Sequence, residues 1–389
     1  MLNRAALTVT TAALWGGRKR DMSIETPRAA HLPGIQALRG LAALLVVITH
    51  IYSMELKYSP DQLLGQWSYY GGTGVDLFFV ISGFIMVHVT RDAARGPAGA
   101  GHFLLRRAAR IYPLYWLVSA ALLAVYLYRP DIVFSGIDRA PDLIKSFTLW
   151  PDYRPPLLAI GWTLTFEIMF YLFFAVALLL PKKRIGLFLT IWTAGILIAH
   201  IPDIRTHLAA RPLLALLTSA MSLEFIAGAA LALWLPKLTV TRGQSVILIA
   251  LGFLTGLIGA AVLSYYGEWI LDNFPLRAAI FGGPAAMIVF GLAAGDFSGR
   301  PVSKVLQKLG DWSYAIYLTH ILTLAIIGLA WRQFATQSLI DNVLMVPALL
   351  AASILVGGLV YKFIERPVMN AVKKGLPAAP QSAQAATAP

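Results

Sequence analysis

The sequence predicts an all-α protein: a polytopic bundle of about ten transmembrane helices with both termini in the cytoplasm. Three observations support this fold class. The 389 residues are 58% hydrophobic and only 13% charged, whereas an average soluble domain has roughly 25% charged residues. The apolar residues form segments of about 20 residues, the length that crosses a bilayer. The basic residues are unevenly divided between the two sides that these segments define.

Ten apolar segments meet the length criterion, and clusters of proline, glycine or charge, such as LLLPKKRIG and WLPKLTVTRGQ, separate them. No internal repeat is visible, which counts against a transporter built from inverted repeats. The segments cover residues 35–54, 73–90, 109–128, 160–180, 185–201, 212–235, 245–266, 278–295, 311–331 and 343–364.

The distribution of Lys and Arg sets the orientation. With a cytoplasmic N-terminus, 20 of the 32 basic residues fall in inside segments, nine in outside segments, Arg211 and Arg277 among them, and three at the membrane boundaries. Because cytoplasmic loops carry an excess of positive charge, both termini are predicted to be cytoplasmic. The net charge of +13 therefore reflects topology, and no nucleic-acid partner is needed to explain it.

One membrane domain, residues 31–372, accounts for most of the chain. Residues 1–30 are predicted to be a cytoplasmic leader whose threonine-broken apolar run is too short to span, and Met22 would serve equally well as the start. Residues 373–389 form a Pro/Ala-rich disordered tail. The longest connection, 129–159, carries Trp150 and Tyr153 among prolines, a mixture suited either to sugar binding or to anchoring at the interface.

The chain has no cysteine, which excludes disulfides, zinc-thiolate sites, iron-sulfur clusters and thiol nucleophiles. A catalytic base or nucleophile must be His, Ser, Asp, Glu, Lys or Tyr, and we expect no metal site.

The first apolar segment contains RGLAALLVVITH, with Arg39 and His50 eleven residues apart. Eleven helical residues return to nearly the same direction, so both side chains lie on one face, about 16 Å apart along the axis. Arg39 is predicted near the cytoplasmic boundary and His50 deeper. The pair suits an anionic cofactor at one end and proton chemistry at the other. The alternative is a snorkelling arginine and a packed polar contact.

Other ionisable residues also lie where lipid is expected. Asp76 begins the second segment and needs a partner such as His50 or an arginine. In the same segment Ser82 and Gly83 are expected mainly to permit close approach of a neighbouring helix. Arg106, Arg107 and Arg110 precede or begin the third, where guanidinium groups suit phosphate, or else mark topology beside an aromatic belt.

Two carboxylates, Glu167 and Glu224, lie inside predicted spans, and His320 lies in mid-helix with Tyr317 three residues before it. Each needs a buried partner or a polar cavity. Glu365 is expected to pair with a cytoplasmic-side arginine. The set as a whole indicates a polar interior.

Seven motifs occur in order: GIQALRGLAALLVVITH, GVDLFFVISGF, RRAARIYPLYW, GWTLTFEIMFYL, EFIAGAALA, DWSYAIYLTH and FIERP. In this order they resemble the acyltransferase-3 family of integral membrane acyltransferases, over most of residues 31–370. The short chain looks most like bacterial exopolysaccharide or lipopolysaccharide O-acetyltransferases of the inner membrane. One departure is that Ile168 and Met169 follow Glu167, where many members carry paired acids and a glutamine.

The resemblance implies transfer of an acyl group, by prevalence acetyl, from cytoplasmic acyl-CoA to a hydroxyl of an envelope or exported glycan, including a lipid-linked saccharide. It implies His50 as the proton-transfer residue, with Arg39 assisting and Asp76 orienting. Arg106, Arg107 and Arg110 would bind the donor. Glu167, His320 and Glu224 would contact acceptor or line the cavity.

Two other classes remain open: a secondary transporter or exporter, and a non-catalytic scaffold in a polysaccharide assembly complex. Within the enzyme class, the sequence does not distinguish the acceptor, the acyl chain, the oligomeric state, or direct transfer from an acyl-histidine intermediate.

Overall fold

The computed structural model describes residues 32–133, 140–266, 273–295 and 302–377. Within these ranges every regular element is helical and none is a strand, as the composition predicts. The predicted leader, the alternative start at Met22 and most of the predicted tail lie outside the described residues.

Sixteen α-helices occur in the described ranges. Short 3-10 turns precede α2 and α7 and follow α10, while π-helical turns lie before α13 (Ala278–Gly282) and after α15 (Tyr361–Glu365). The α-helices are α1 (Pro33–Tyr58), α2 (Gly74–Val89), α3 (Pro97–Tyr128), α4 (Pro130–Val133), α5 (Leu143–Thr148), α6 (Gly161–Leu179), α7 (Ile185–Ala199), α8 (Pro202–Ala209), α9 (Pro212–Leu217), α10 (Ser222–Trp234), α11 (Arg242–Tyr266), α12 (Phe274–Arg277), α13 (Gly283–Ala294), α14 (Lys304–Trp331), α15 (Leu339–Val360) and α16 (Arg366–Gly375).

The count of membrane-crossing helices differs from the ten apolar segments of the sequence. Eight helical stretches in the described chain are long and apolar enough to cross a membrane, and nine if α7 and α8, bent by 97°, form one span. The predicted segment 212–235 is interrupted between α9 and α10, and α10 has only 13 residues. At 1.5 Å per residue α10 is about 20 Å long, shorter than the roughly 30 Å hydrocarbon core. The chain is a multi-pass membrane protein.

The interior of the bundle is formed by α1, α2, α6 and α14. Over their most apolar stretches 56% to 61% of residues are buried, whereas only 17% are buried in α11 and 22% in α15. Since α11 and α15 are also the most hydrophobic helices, they present their apolar side chains to lipid. Each of the four central helices also carries buried polar side chains, among them Thr49, Asp76, Thr163 and His320.

Glycines bring the central helices into close contact. Gly40 of α1 and Gly310 of α14 face each other's backbones: a Cβ on Gly40 would lie 2.6 Å from the carbonyl oxygen of Leu306, and one on Gly310 would overlap the carbonyl oxygen of Gln36. Gly83 of α2 and Gly228 of α10 make an equally tight crossing. Small residues allow such backbone approach in membrane helices, and the α2–α10 crossing confirms the packing role predicted for Gly83.

Replacing Gly310 with alanine is expected to destabilise the α1–α14 pair by about 1–3 kcal/mol, because the added methyl group meets backbone atoms that no rotamer change can move. Thermal unfolding of the detergent-solubilised protein measures this loss. Gly195→Ala in α7 is the matched control, since nothing lies within 4 Å of its added Cβ. Equal melting temperatures for the two variants would contradict the close crossing.

The connection between α3 and α6 folds back along α3. Three aromatic side chains of the YPLYW motif donate to three consecutive backbone carbonyls: Tyr112 to Thr148, Tyr115 to Ser146 and Trp116 to Phe147. Twelve residues separate Trp116 from the end of α3, so the loop returns about 18 Å along the helix. These aromatic residues secure a loop, which an aromatic-belt interpretation of the motif did not predict.

An ion cluster stabilises the same loop. Asp152 accepts hydrogen bonds from Lys145 Nζ and Arg154 Nη2, both at 3.1 Å, and Arg154 also reaches Asp142 at 3.2 Å. Burial favours a raised pKa for the Asp152 carboxyl, but the hydrogen bonds from Lys145, the backbone and Arg154 outweigh burial and lower its pKa. The cluster is therefore charged at neutral pH. Its contribution to stability is present above the ordinary aspartate pKa and falls as the pH drops through the lowered pKa.

Candidate active site

Two histidines meet in the interior. His320 Nε2 of α14 lies 3.3 Å from His50 Nδ1 of α1, and their ring centroids are 4.9 Å apart. In each ring Nδ1 also approaches a carbonyl oxygen one turn earlier, Val46 at 2.8 Å and Ile316 at 3.1 Å. A carbonyl only accepts, so we assign the proton of each neutral ring to Nδ1. His320 Nε2 then accepts from His50 Nδ1–H, and His50 Nε2 keeps its lone pair.

That arrangement makes His50 a candidate proton acceptor. Its Nε2 hydrogen-bonds to none of the described residues, while Nδ1 is held by two acceptors that stabilise the ring after it gains a proton. His320 was predicted to line a substrate cavity. In the structure His320 is fully buried, and its Nε2 contacts the imidazole of His50.

The arginine end of α1 has its own partner on α14. Arg39 Nη2 donates to Ser313 Oγ at 3.1 Å. Both Arg39 and His50 therefore face α14, which confirms the predicted common face. The tight glycine crossing of α1 and α14 holds these two contacts in one register.

A cavity of about 130 Å³ lies beside Arg39. It combines cationic, acidic and aromatic groups with an apolar wall, the composition expected of a site that binds a small group and orients it. Neither His50 nor His320 is among its lining residues. The lining residues are Arg39, Val75, Phe78, Phe79, Ile81, Ser82, Ile85, Met86, Arg107, Arg110, Ile111, Thr163, Leu164, Glu167, Tyr171, Ser313, Tyr314 and Tyr317.

The arginine motif contributes two of its three guanidinium groups to this cavity. The third span was predicted to begin near residue 109, but α3 begins at Pro97, so all three arginines lie inside the helix. Arg107 lies over the rings of Phe103 and Tyr171. Arg110 contacts Glu365 at 3.6 Å, which confirms the pairing expected for Glu365. Arg106 is exposed and does not line the cavity.

Glu167 of α6 lines the same cavity. Its Oε1 accepts hydrogen bonds from Ser82 Oγ at 3.0 Å and from the Tyr171 hydroxyl. Ser82 therefore provides a hydrogen bond to a buried acid, in a segment where close packing was predicted to be its main role. Glu167 therefore shares the cavity wall with Arg39, Arg107 and Arg110, and the two hydroxyl donors fix the position of its Oε1.

Asp76 was predicted to orient His50. In the structure its carboxylate instead accepts three hydrogen bonds from Arg277, from Nε to both oxygens at 3.1 Å and from Nη2 at 2.6 Å. Of the two partner types considered for Asp76, the arginine is therefore the one present. In the sequence analysis Arg277 was assigned only to an outer segment. The one sequence feature that could have indicated a buried partner for Asp76 was the position of Arg277 directly before an apolar segment.

Glu224 joins this ion pair as a second acid. It is 1% exposed, neither carboxyl oxygen receives a hydrogen bond from a donor, and its contact is with the Asp76 carboxylate. Two carboxyl groups in contact are stable only when they share a proton. Asp76, Arg277 and Glu224 thus form a buried triad that joins α2, α10 and α12. In the described residues no three His, Asp or Glu side chains are grouped to hold a metal ion.

Sequence comparisons agree with this architecture. Residues 32–362 match the family model described as an acyltransferase domain, acyltransferase-3. The acyltransferase MdmB of Streptomyces mycarofaciens is 31% identical over 91% of this chain and 95% of its own length. The exopolysaccharide production protein ExoZ of Rhizobium meliloti is 30% identical over 77% and 90%. The peptidoglycan O-acetyltransferase OatA of Listeria monocytogenes is 25% identical over 87% of this chain but 56% of its own length. No solved structure matches.

The match spans the arginine and histidine of α1, the arginine motif of α3, Glu167, Glu224 and the α14 histidine, and it extends over nearly the whole described bundle. Two relatives at or above 30% identity are matched over at least nine-tenths of their length. The chain belongs to the acyltransferase-3 family of membrane acyltransferases.

Proposed function

We propose that this protein transfers an acyl group, by preference acetyl, from acyl-CoA in the cytoplasm to a hydroxyl of a cell-envelope or exported glycan at the bacterial inner membrane. The observation that carries the proposal is the polarity of α1: a guanidinium group in a cavity at one end and a histidine with a free lone pair about 16 Å away at the other.

The donor is proposed to bind at the arginine cavity. Acyl-CoA carries several phosphate charges, and Arg107 and Arg110 present guanidinium groups that can bind phosphate bidentately. Arg110 is only partly neutralised by Glu365 at 3.6 Å. Arg106, exposed on the same helix, adds long-range attraction for the anionic donor. Arg39, in the same cavity, then helps to position the pantetheine end of the donor.

His50 is proposed to accept the proton of the acceptor hydroxyl through Nε2. The hydroxyl oxygen attacks the carbonyl carbon of the thioester, the carbon–sulfur bond breaks, and the proton held by His50 passes to the thiolate of coenzyme A. Alternatively Nε2 itself attacks the thioester carbonyl and the thiolate of coenzyme A leaves. The acceptor hydroxyl then cleaves the acyl-histidine, the ring regains its lone pair, and the hydroxyl proton neutralises the thiolate. Both routes use the same lone pair, and in both the Val46 carbonyl and His320 keep the proton of His50 on Nδ1.

The acceptor class follows from the relatives. One is named for exopolysaccharide production and another for O-acetylation of peptidoglycan, and both polymers carry sugar hydroxyl groups. We propose a glycan or lipid-linked saccharide for this chain as well, with Glu167 contacting the acceptor or the reacting groups from the cavity wall. Membrane lipids and a polysaccharide assembly complex are the proposed surroundings.

Sealed membrane vesicles test the proposal. Inside-out vesicles with isotope-labelled acetyl-CoA are expected to transfer label to purified glycan, whereas right-side-out vesicles with the donor outside are not. Replacing Arg107 and Arg110 together with alanine is expected to raise the KM for the donor by about tenfold or more, since each charge-assisted hydrogen bond contributes about 1.5–3 kcal/mol, and to change the acceptor requirement less.

Arg106→Ala is the control for the arginine variants because Arg106 lies on the same helix but outside the cavity. An unchanged donor KM in the double variant would remove Arg107 and Arg110 from donor binding. No labelled glycan from active wild-type protein, with acceptor present, would favour a different donor or the transport of glycan itself.

A further inference from the structure

The arginine cavity does not extend to the histidine pair in this structure. Tyr317 and Phe78 line the cavity, yet His50 and His320 do not. Tyr317 lies at the boundary: its ring is 5.8 Å from the ring of His320 on one side and 6.3 Å from that of Phe78 on the other. The Tyr317 ring therefore lies between a wall of the cavity and the histidine pair.

Hydrogen bonds fix the Tyr317 side chain in this position. The Tyr317 hydroxyl donates to the carbonyl oxygen of Ile160 at 3.0 Å and lies 2.6 Å from Thr163 Oγ1. Both partners belong to the start of α6, where Thr163 also reaches the Ile160 carbonyl at 3.1 Å. The side chain of Tyr317 is therefore tied across from α14 to α6, and it is 7% exposed.

We propose that Tyr317, which packs near Phe78 and is bound to Thr163, is a partition between the arginine cavity and the histidine pair. This partition sets the size of the acyl group that reaches His50. In the closed position the ring blocks the path. When the hydroxyl releases Thr163 and Ile160, rotation of the side chain opens a passage whose width admits a small acyl group and excludes a long one. The size selection rests on the proposed acyl transfer, whereas the separation of the arginine cavity from the histidine pair does not.

Cysteine accessibility tests the partition independently of activity, since the native chain contains no cysteine. Ser313→Cys places a thiol in the cavity, and His320→Cys places one beyond Tyr317. A membrane-impermeant thiol reagent applied from the arginine side of sealed vesicles is expected to modify Ser313→Cys and to spare His320→Cys. Adding Tyr317→Ala to the His320→Cys protein is expected to make that cysteine reactive from the same side.

Further variants guard against misfolding of the alanine protein. Tyr317→Phe removes the bonds to Thr163 and Ile160 but retains the ring, so partial modification is expected. Phe78→Ala opens the other half of the partition and is expected to act like Tyr317→Ala. Equal modification of His320→Cys with and without the Tyr317 ring, in proteins that remain monodisperse, would overturn the partition. A Ser313→Cys that stays unmodified would overturn the cavity as the space on that side.

Donor selectivity tests the second half of the proposal. Tyr317→Ala is expected to raise the rate with a butyryl donor relative to an acetyl donor by about tenfold, the scale of discrimination that one or two methylene groups give in an apolar pocket. If Tyr317→Ala leaves donor selectivity unchanged but makes His320→Cys reactive, size selection would be refuted and the partition would be retained. No transfer by the wild-type protein from any acyl-CoA would refute the proposed function, and the labelling result would stand apart from it.

Discussion

Replacing His50 with alanine is expected to lower the rate of acyl transfer by about 10²–10⁴-fold, the contribution of a positioned general base. In the proposed mechanism the lone pair on Nε2 accepts the hydroxyl proton, and in the described structure no other imidazole presents a free nitrogen beside it. The fold is expected to tolerate the change, because one of the two acceptors of His50 Nδ1 is a carbonyl of its own helix. Transfer of labelled acyl groups at matched protein abundance measures the effect.

His200→Ala is the matched control for this variant. His200 also places Nδ1 2.8 Å from a carbonyl one turn earlier, that of Ile196, but it lies at the end of α7 and does not line the cavity. It is expected to keep the wild-type rate. An equal loss in both variants would indicate a general packing effect, and a wild-type rate in His50→Ala would exclude His50 as base and as nucleophile.

Replacing Arg277 with methionine is expected to destabilise the protein by about 3–5 kcal/mol, the cost of removing one partner of a buried ion pair. The change leaves Asp76 and Glu224, both 1% exposed, without a positive charge. Thermal unfolding in detergent measures the loss. Arg211→Met is the control, since Arg211 was assigned to the same side of the membrane by the charge distribution but is exposed.

Two further variants separate charge from packing at this triad. Glu224→Gln is expected to change stability by about 1 kcal/mol or less, because the amide N–H replaces the shared proton as a donor to Asp76. Asp76→Asn combined with Arg277→Met is expected to recover part of the loss, as a double-mutant cycle requires for coupled residues. A double variant whose loss equals the sum of the single losses would show that the two side chains are not coupled.

Local periodicity was enough to predict one part of the candidate site. The eleven-residue spacing placed Arg39 and His50 on one face of α1, and both contact α14. It was not enough for the span count: the segment 212–235 is apolar throughout most of its length, yet it breaks into α9 and α10. Hydropathy measures how apolar a segment is, but it does not indicate where the backbone of that segment turns.

The partners of the ionisable groups depended on the tertiary structure. His50 and His320 are 270 residues apart in the chain, and Asp76 and Arg277 are 201 apart. The sequence required each buried acid to have a partner, because lipid provides none, but several arginines satisfied that requirement equally. Which arginine reaches which acid depends on how the helices cross.

The sequence by itself determined that this protein is a membrane helical bundle with an acyltransferase-3 motif set, since composition, segment length and motif order are properties of the chain alone. Only the tertiary structure decided that His320 contacts His50 and that Arg277 is the ion-pair partner of Asp76. It also decided that Tyr317 lies between the arginine cavity and the histidine pair. The physical reason is that helix periodicity is set by local backbone bonds. Contacts between helices are set by backbone crossings, such as Gly40 with Gly310, whose register no local pattern specifies.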